Sequence, residues 1–342
     1  MSAKPSISDQ LLAWYDANAR VLPWRAPPGS NAADPYRVWL SEVMLQQTTV
    51  AAVTPRFEAW VARWPDFASL AAASEEEVMG AWAGLGYYAR ARNLVACARA
   101  VAARGGFPTT EAELRQLPGI GDYTAAAVAA IAFGQRAVAI DANVARVVAR
   151  LFALADKAEV PAHADRITPD LRAGDFAQAM MDLGATVCTP RGPRCLLCPL
   201  RTECRGFAGG MPEAFPARAA KKARPTRHGT IFWLERDGRI LLVRRPPKGL
   251  LGGMRALPTG AWADAPPGLA GAPAAAGWRL LEDEVTHVFT HFRLECRLAA
   301  ASIAAQEVHA EGEWWLIADL GAAGLPTLFA RAAQLFGRER WG

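Results

Sequence analysis

The chain lacks any segment that could carry it through a membrane. Its longest apolar run, Ala125 to Phe133, falls far short of the roughly 20 residues a spanning helix needs, and the mean hydropathy is only +0.05. Residues Met1 to Gln10 hold no apolar stretch of the kind a secretory signal uses, so a cytoplasmic protein is expected. Lysine is nearly absent, occurring only at Lys4, Lys157, Lys221, Lys222 and Lys248. The positive charge is therefore arginine: Lys+Arg total 38 against 33 for Asp+Glu, a formal net charge of +5. With no amphipathic basic helix, that mild excess suits nucleic acid better than an acidic lipid surface. Charged residues are also few, 21% against 52% hydrophobic, which excludes a disordered chain, and 342 residues suffice for two domains with separate cores.

From Asp9 to about Phe207 apolar residues recur at helical spacing, so this half is expected to be all-α. Asp34-Pro35 reads as a helix start, with the aspartate capping free amides ahead of a helix over Tyr36 to Thr49. Ser74 with Glu77, and Thr110 with Glu113, read as capping boxes. A proline-bearing stretch with Arg218, Lys221, Lys222, Arg224 and Arg227 follows and reads as an exposed linker. Beyond it, Gly229 to Leu234 and Arg239 to Val243 flank the turn signal Asp237-Gly238, and Glu284 to Cys296 and Glu313 to Ile317 are further β-like runs. The expected organisation is an all-α domain over residues 1–210, a basic linker over 211–228 and an α+β domain over 229–342.

Four of the six cysteines, Cys188, Cys195, Cys198 and Cys204, fall in one window at the end of the helical half. In a reducing compartment such clustering favours metal over disulfides, and four thiolates satisfy either a tetrahedral zinc or a 4Fe-4S cluster. Structural zinc usually takes two short-spaced pairs; the uneven spacing here better suits a cluster with one cysteine per iron. Upstream, Leu117-Pro118-Gly119-Ile120-Gly121 joins two helical patterns. Its glycines, Gly119 and Gly121, can turn the chain tightly and bring backbone amides to an anion such as a nucleic-acid phosphate; a functionless turn between helices is the alternative.

This hairpin, Asp141 beyond it and the cysteine loop, in that order, resemble the helix-hairpin-helix DNA glycosylases of the endonuclease III superfamily. Leu22-Pro23-Trp24-Arg25, the run Trp39 to Thr48, and Gly84-Leu85-Gly86-Tyr87-Tyr88 are similar to the adenine DNA glycosylase (MutY) family within it. The resemblance implies a helix-hairpin-helix glycosylase fold with an iron-sulfur cluster loop, the cluster held by the four cysteines. It implies an enzyme that hydrolyses the glycosidic bond of adenine mispaired with 8-oxoguanine or guanine in double-stranded DNA, leaving an abasic site. A monomer, nucleoid-associated when on DNA and open to other repair proteins, is expected.

Departure of adenine leaves a poor anion and an oxocarbenium-like sugar, so two carboxyl groups with different tasks are useful. Glu42 sits in an otherwise apolar helical run, where burial would raise its pKa and keep a proton for adenine N7. On periodicity alone it could equally lie on a solvated face. Asp141 ends an apolar run and precedes a helix, so it reads first as an N-cap; the resemblance implies that its carboxylate also stabilises the sugar cation. By the same carry-over Tyr123 and Asn143 orient this pair, and Ala142 departs from the family's usual glycine. Bifunctional relatives carry a lysine where this chain has Tyr123, and tyrosine cannot form a Schiff base, so strand cleavage is not expected. Gln47 and Tyr87 resemble residues that wedge into the base stack, with Thr48 and Leu85 near the opposite base, and Arg20, Arg25 and Gln178 near the extruded adenine.

The second domain resembles the family's Nudix-like C-terminal module through Thr230 to Pro258, but the Ala/Pro/Gly-rich segment from Ala261 to Gly277 replaces the glutamate-rich helix a pyrophosphohydrolase needs. Phe289-Thr290-His291 is similar to the family's Phe-Ser-His loop and should approach the oxidised guanine. Two rivals remain at this stage: a bifunctional glycosylase for oxidised pyrimidines, and a non-catalytic DNA-binding redox sensor.

Overall fold

The computed structural model describes residues 5–30, 33–82, 84–217, 223–246, 249–304 and 307–340. Arg218, Lys221 and Lys222 of the expected linker, together with Lys4 and Lys248, lie outside the described residues. The chain divides into two compact units, one formed by residues 1–73 with 93–220 and the other by 74–92 with 221–342. Residues 74–92 thus group with the C-terminal part.

The helices in chain order are α1 (Ile7–Asn18), α2 (Pro35–Leu45), α3 (Val50–Arg63), α4 (Phe67–Ala72), α5 (Glu75–Ala81), α6 (Ala89–Ala103) and α7 (Glu111–Leu114). They continue as α8 (Asp122–Phe133), α9 (Ala142–Phe152), α10 (Val160–Ile167), α11 (Ala173–Thr186), α12 (Arg205–Ala208) and α13 (Thr327–Arg340). In the first unit α8 is the central rod. Every residue from Thr124 to Ala132 is buried, as a helix apolar on all sides must be, and it packs against α2 and α11. Its small side chains let those neighbours approach closely, and α11 in turn packs on α1 and α9. The starts of α8 and α9 and one side of α2 thereby come within reach of one another.

Several capping expectations hold. The Asp34 side chain accepts from the Arg37 amide with Pro35 in the first turn, and Ser74 and Glu77 form a reciprocal box at α5. At α7 the Thr110 hydroxyl accepts from the Glu113 amide and donates to the Glu113 carboxylate at 2.7 Å, so the carboxylate returns to the hydroxyl of the cap. The helix expected over Tyr36 to Thr49 ends earlier, at Leu45. Gln47 enters the left-handed region at φ 56°, which no α-helix can continue through, and Thr49 already caps α3.

In the second unit the strands are β1 (Thr226–Arg236), β2 (Arg239–Arg244), β3 (Arg255–Ala256), β4 (Arg279–Val288), β5 (Arg293–Ser302) and β6 (Glu313–Leu316). They form one mixed sheet ordered β3-β2-β1-β5-β4, with β6 also on β2; β1 runs parallel to β5 and the other pairs are antiparallel. The β1–β2 hairpin turns at Asp237 and Gly238, both at positive φ, as its sequence predicts. β1 begins at Thr226, inside the stretch read as linker. Leu328, Phe329, Ala332 and Phe336 line the buried stripe of α13, in one cluster with Ile231 and Trp233 of β1 and Leu294 of β5. Residues 257–278 carry turns and isolated bridges but no helix, in keeping with their composition.

Candidate active site

Glu42 lies on the buried side of α2. Its residue is 7% exposed, so the solvated-face alternative does not hold. The Tyr123 hydroxyl, from the first turn of α8, donates to Glu42 Oε2 at 2.6 Å. Burial pushes the Glu42 carboxyl up and Asp141 nearby adds to the rise, while the Tyr123 hydrogen bond and the Arg25 charge pull it back. Its net displacement is upward, toward the protonated form. Burial likewise raises the Tyr123 phenol well above its usual value, reinforced by Glu42, so the tyrosine remains a donor.

Asp141 caps α9. Its Oδ1 accepts from the Val144 amide at 2.7 Å and its Oδ2 from Asn143 Nδ2 at 2.9 Å. Asn143 is held in turn by Arg146, whose guanidinium donates to Asn143 Oδ1 at 2.8 Å, to the Gly184 carbonyl at 2.6 Å and to the Cys188 carbonyl at 2.8 Å. At Gly184 α11 comes close to the start of α9: a Cβ there would meet Asn143 Cβ at 2.6 Å. The Asp141 carboxylate is thus fixed by its own helix start and by a side chain wedged against α11.

Glu42, Asp141, Tyr123 and Asn143 line one open cleft of about 820 Å³, together with Arg20, Arg25, Gln47, Thr48, Gly119, Gly121 and Gln178. The hairpin forms part of its lining. Gly119 has φ +75°, and a Cβ there would sit 2.5 Å from Asn93 Cβ, so both conformation and space require glycine. Gly121 caps α8 in an extended conformation with open space where a Cβ would be, leaving its backbone accessible from outside. Gln178 is buried on α11 with Nε2 3.4 Å from the Gly174 carbonyl, and Trp24 and Met181 supply apolar wall.

Leu85, Tyr87, Phe289, Thr290 and His291 fall in the other unit. Leu85 is 5% exposed, its side chain packed within that unit. Tyr87 is 51% exposed and, like Gln47, is held at positive φ, here 49°. A bulky residue in that region is strained by about 1–3 kcal/mol, a cost that clusters at functional sites. Arg90 fixes the turn, donating to the Leu85 and Gly86 carbonyls and lying over the Tyr87 ring. The Tyr87 and Thr290 hydroxyls are 3.5 Å apart. Thr290 and His291 are exposed at the tip of the β4–β5 hairpin, while Phe289 stacks on Trp262 and packs against Phe292, anchoring the loop.

Cys188, Cys195, Cys198 and Cys204 line one small pocket with Arg150 and Phe207, and all are free thiols. Arg150 reaches into the loop, donating to the Thr189 carbonyl at 2.7 Å with its guanidinium 3.4 Å from Cys188 Sγ. Burial pushes the Cys198 thiol up to about 12, and the three neighbouring cysteines add to the rise. Among the described residues no set of three or more His, Cys, Asp or Glu side chains is placed to hold a metal ion.

Residues 40–169 match the HhH-GPD superfamily of base excision DNA repair proteins, and residues 230–335 match the NUDIX domain. An adenine DNA glycosylase of Mycolicibacterium smegmatis is 43% identical over 222 residues, which cover 62% of this chain and 73% of that protein. The chain belongs to the adenine DNA glycosylase family. The human adenine DNA glycosylase is 39% identical over 310 residues, 74% of this chain, and the chain spans only 57% of that relative's length. Among solved structures, a thermostable thymine-DNA glycosylase is 28% identical with a TM-score of 0.53, covering 59% of this chain and 95% of its own. An endonuclease III–DNA complex is 25% identical with a TM-score of 0.50 over 59% of this chain and 94% of its own.

In this member of the adenine DNA glycosylase family, sequence reasoning passed over two cleft-supporting residues. One is Arg146. The other is Asp182, 0% exposed on α11, which accepts from Arg20 Nε and Arg25 Nη1, each at 2.6 Å. Its signal was present: Asp182 is a lone carboxylate in the apolar stretch Ala177 to Ala185, the same signature that singled out Glu42.

Proposed function

We propose that this chain is a monofunctional adenine DNA glycosylase that hydrolyses the N-glycosidic bond of adenine opposite 8-oxoguanine or guanine in duplex DNA. The observation that carries the reading is the pairing, in one cleft, of a buried carboxyl bonded to Tyr123 with a second carboxylate bonded to Asn143. Glu42, raised by burial, donates its proton to the departing adenine, so that the base leaves neutral. Asp141, held by the Val144 amide and Asn143, faces the sugar as positive charge develops and stabilises it. Water then completes the hydrolysis with Glu42 as its base. With tyrosine at position 123, the cleft offers no amine at that point for a Schiff base, and the product is an intact strand with an abasic site.

Duplex DNA is the substrate class that the positive-φ hairpin, the exposed amide edge at Gly121 and the net charge of +5 favour. Gln47 and Tyr87, each held in a strained conformation, are each suited to wedge into a base stack. Thr290 and His291, on the Phe289 anchor, would read the opposite base. The fold of the second unit lacks a glutamate-rich helix between β3 and β4, which favours recognition over pyrophosphate hydrolysis.

The four cysteines fit a 4Fe-4S cluster. Their side chains line one pocket, and their uneven spacing offers one thiolate per iron rather than the two short-spaced pairs usual for structural zinc. Bound there, the cluster would cross-link the loop below Arg150 and supply no step of base removal. Equal iron and acid-labile sulfide in purified protein supports this assignment; a single zinc refutes it.

The functional test is single-turnover cleavage of a duplex with adenine opposite 8-oxoguanine, guanine or thymine, with and without alkali. Alkali-dependent breaks at adenine, fastest opposite 8-oxoguanine, support the reading. Breaks without alkali return the bifunctional rival, and no adenine loss leaves a binding protein.

A further inference from the structure

The cleft holds one charged pair that this chemistry does not use directly. Arg25 is almost fully buried, its side chain 8% exposed, and its Nη1 donates to Asp182 Oδ2 at 2.6 Å. Asp182 is completely buried and also accepts from the Arg20 backbone amide at 3.1 Å and from Arg20 Nε at 2.6 Å. Arg25 and Glu42 line the same cleft.

We propose that Asp182 is a positioning residue that keeps the Arg25 cation from drawing the proton off Glu42. The inference rests on Glu42 being the proton donor of the reaction proposed above. A buried guanidinium needs a carboxylate, because an unpaired charge in a low dielectric is costly. Apart from Asp182, the groups that act on Arg25 are Tyr15 and Glu42. Those that act on Glu42 are Tyr123 from α8, Arg25 from the loop before α2, and Asp141 at the start of α9. Asp182 itself feels Arg25 and Arg20, and their hydrogen bonds and charge outweigh its burial, holding it below the usual carboxylate range.

The consequence has a definite sign. While Asp182 is ionised, Arg25 is neutralised locally, and burial keeps Glu42 protonated to higher pH. Without that charge the nearest unsatisfied attraction of Arg25 is to Glu42, which favours the carboxylate and lowers the pH at which the acid form is lost. Asp182 touches neither base nor sugar; it acts through Arg25. The Arg20 contacts, one from the backbone, explain why a carboxylate sits here at the correct depth: they fix both oxygens, so that Asp182 cannot swing toward Glu42.

The test is the pH dependence of single-turnover adenine release by the full chain, with the position of the basic limb as readout. Asp182→Asn is expected to move that limb down by about one pH unit or more. Excision above the limb then falls roughly tenfold, while rates converge with wild type at low pH. Asp182→Glu should hold the limb near its wild-type position. Arg25→Gln removes the cation that acts on Glu42, leaves Asp182 paired with Arg20 alone and is expected to move the limb up, and the double variant Asp182→Asn/Arg25→Gln should bring it back. A uniform loss across all pH values in Asp182→Asn would show a merely structural role and overturn the proposal. If that variant does not fold, an Arg25→Gln limb that coincides with wild type overturns it equally. Carbon-13 NMR titration of Glu42 in the unliganded protein gives the same comparison without catalysis. A wild type that releases no adenine would thus refute the functional reading alone, and an unmoved Glu42 titration would refute this one.

Discussion

The Tyr123 hydroxyl and Glu42 Oε2, 81 residues apart in the chain, meet at 2.6 Å. That bond joins the first turn of α8, just past the hairpin, to the carboxyl on α2 that it faces. It also opposes the burial that raises Glu42, alongside the Arg25 charge and against the further rise from Asp141.

Tyr123→Phe removes the opposing force. The basic limb of adenine excision should move to higher pH, the opposite direction to Asp182→Asn, while the rate on the plateau falls by about tenfold as Glu42 loses its orientation. A pH–rate profile reads both effects, and a limb displaced downward would count against the assigned hydrogen bond.

Glu42 should cost the fold stability where it must ionise. Its folded-state value lies above that of the unfolded chain, so the folded protein binds the proton more tightly, and stability falls as pH rises from the ordinary carboxylate range through the raised value. Glu42→Gln escapes that loss. Its melting temperature should match wild type at low pH and exceed it at neutral pH, as calorimetry across that range will show.

Asp141 serves both helix and reaction, and two substitutions separate the roles. Asparagine remains a good N-cap, so Asp141→Asn should keep stability to within about 0.5 kcal/mol yet lose excision by roughly 10²-fold or more. Asp141→Ala should lose both, with about 1 kcal/mol of destabilisation in denaturant titrations.

At the hairpin, Gly119→Ala places a methyl group 2.5 Å from Asn93 Cβ at a φ that alanine disfavours. A destabilisation of about 1–3 kcal/mol and weaker duplex binding are expected. Gly121→Ala, with open space around it and ordinary φ, should fold as wild type, so any loss of binding there reports an approach from outside the chain.

How legible this arrangement was in sequence differs from residue to residue. Glu42 and Asp141 were visible because a carboxylate in an apolar run, and an aspartate before a helix, each violate or satisfy a local rule. Their meeting was not visible, since it depends on α8 being slim enough for α2 and α11 to close around it. Gln47 was read as helical because its neighbours keep helical spacing; only the backbone shows the left-handed residue that ends α2. Arg146 carries no sequence signal, since its bond to Asn143 is set by packing rather than by spacing, whereas Asp182 stands out as a lone carboxylate in an apolar run and only its partners, Arg20 and Arg25, are hidden. In the second unit β1, β2 and β6 fall on the expected runs around the Asp-Gly turn, whereas the run Glu284 to Cys296 is broken at 289–292 into β4 and β5, and neither β3 nor the grouping of residues 74–92 with that unit has a local signal.

The central claim is that Glu42 supplies the proton on which adenine leaves. Single-turnover excision by Glu42→Gln, measured beside its affinity for the same duplex, tests it most directly. The variant should bind adenine opposite 8-oxoguanine as wild type does and lose excision by roughly 10³-fold or more; excision within tenfold of wild type, at equal binding, would contradict the account.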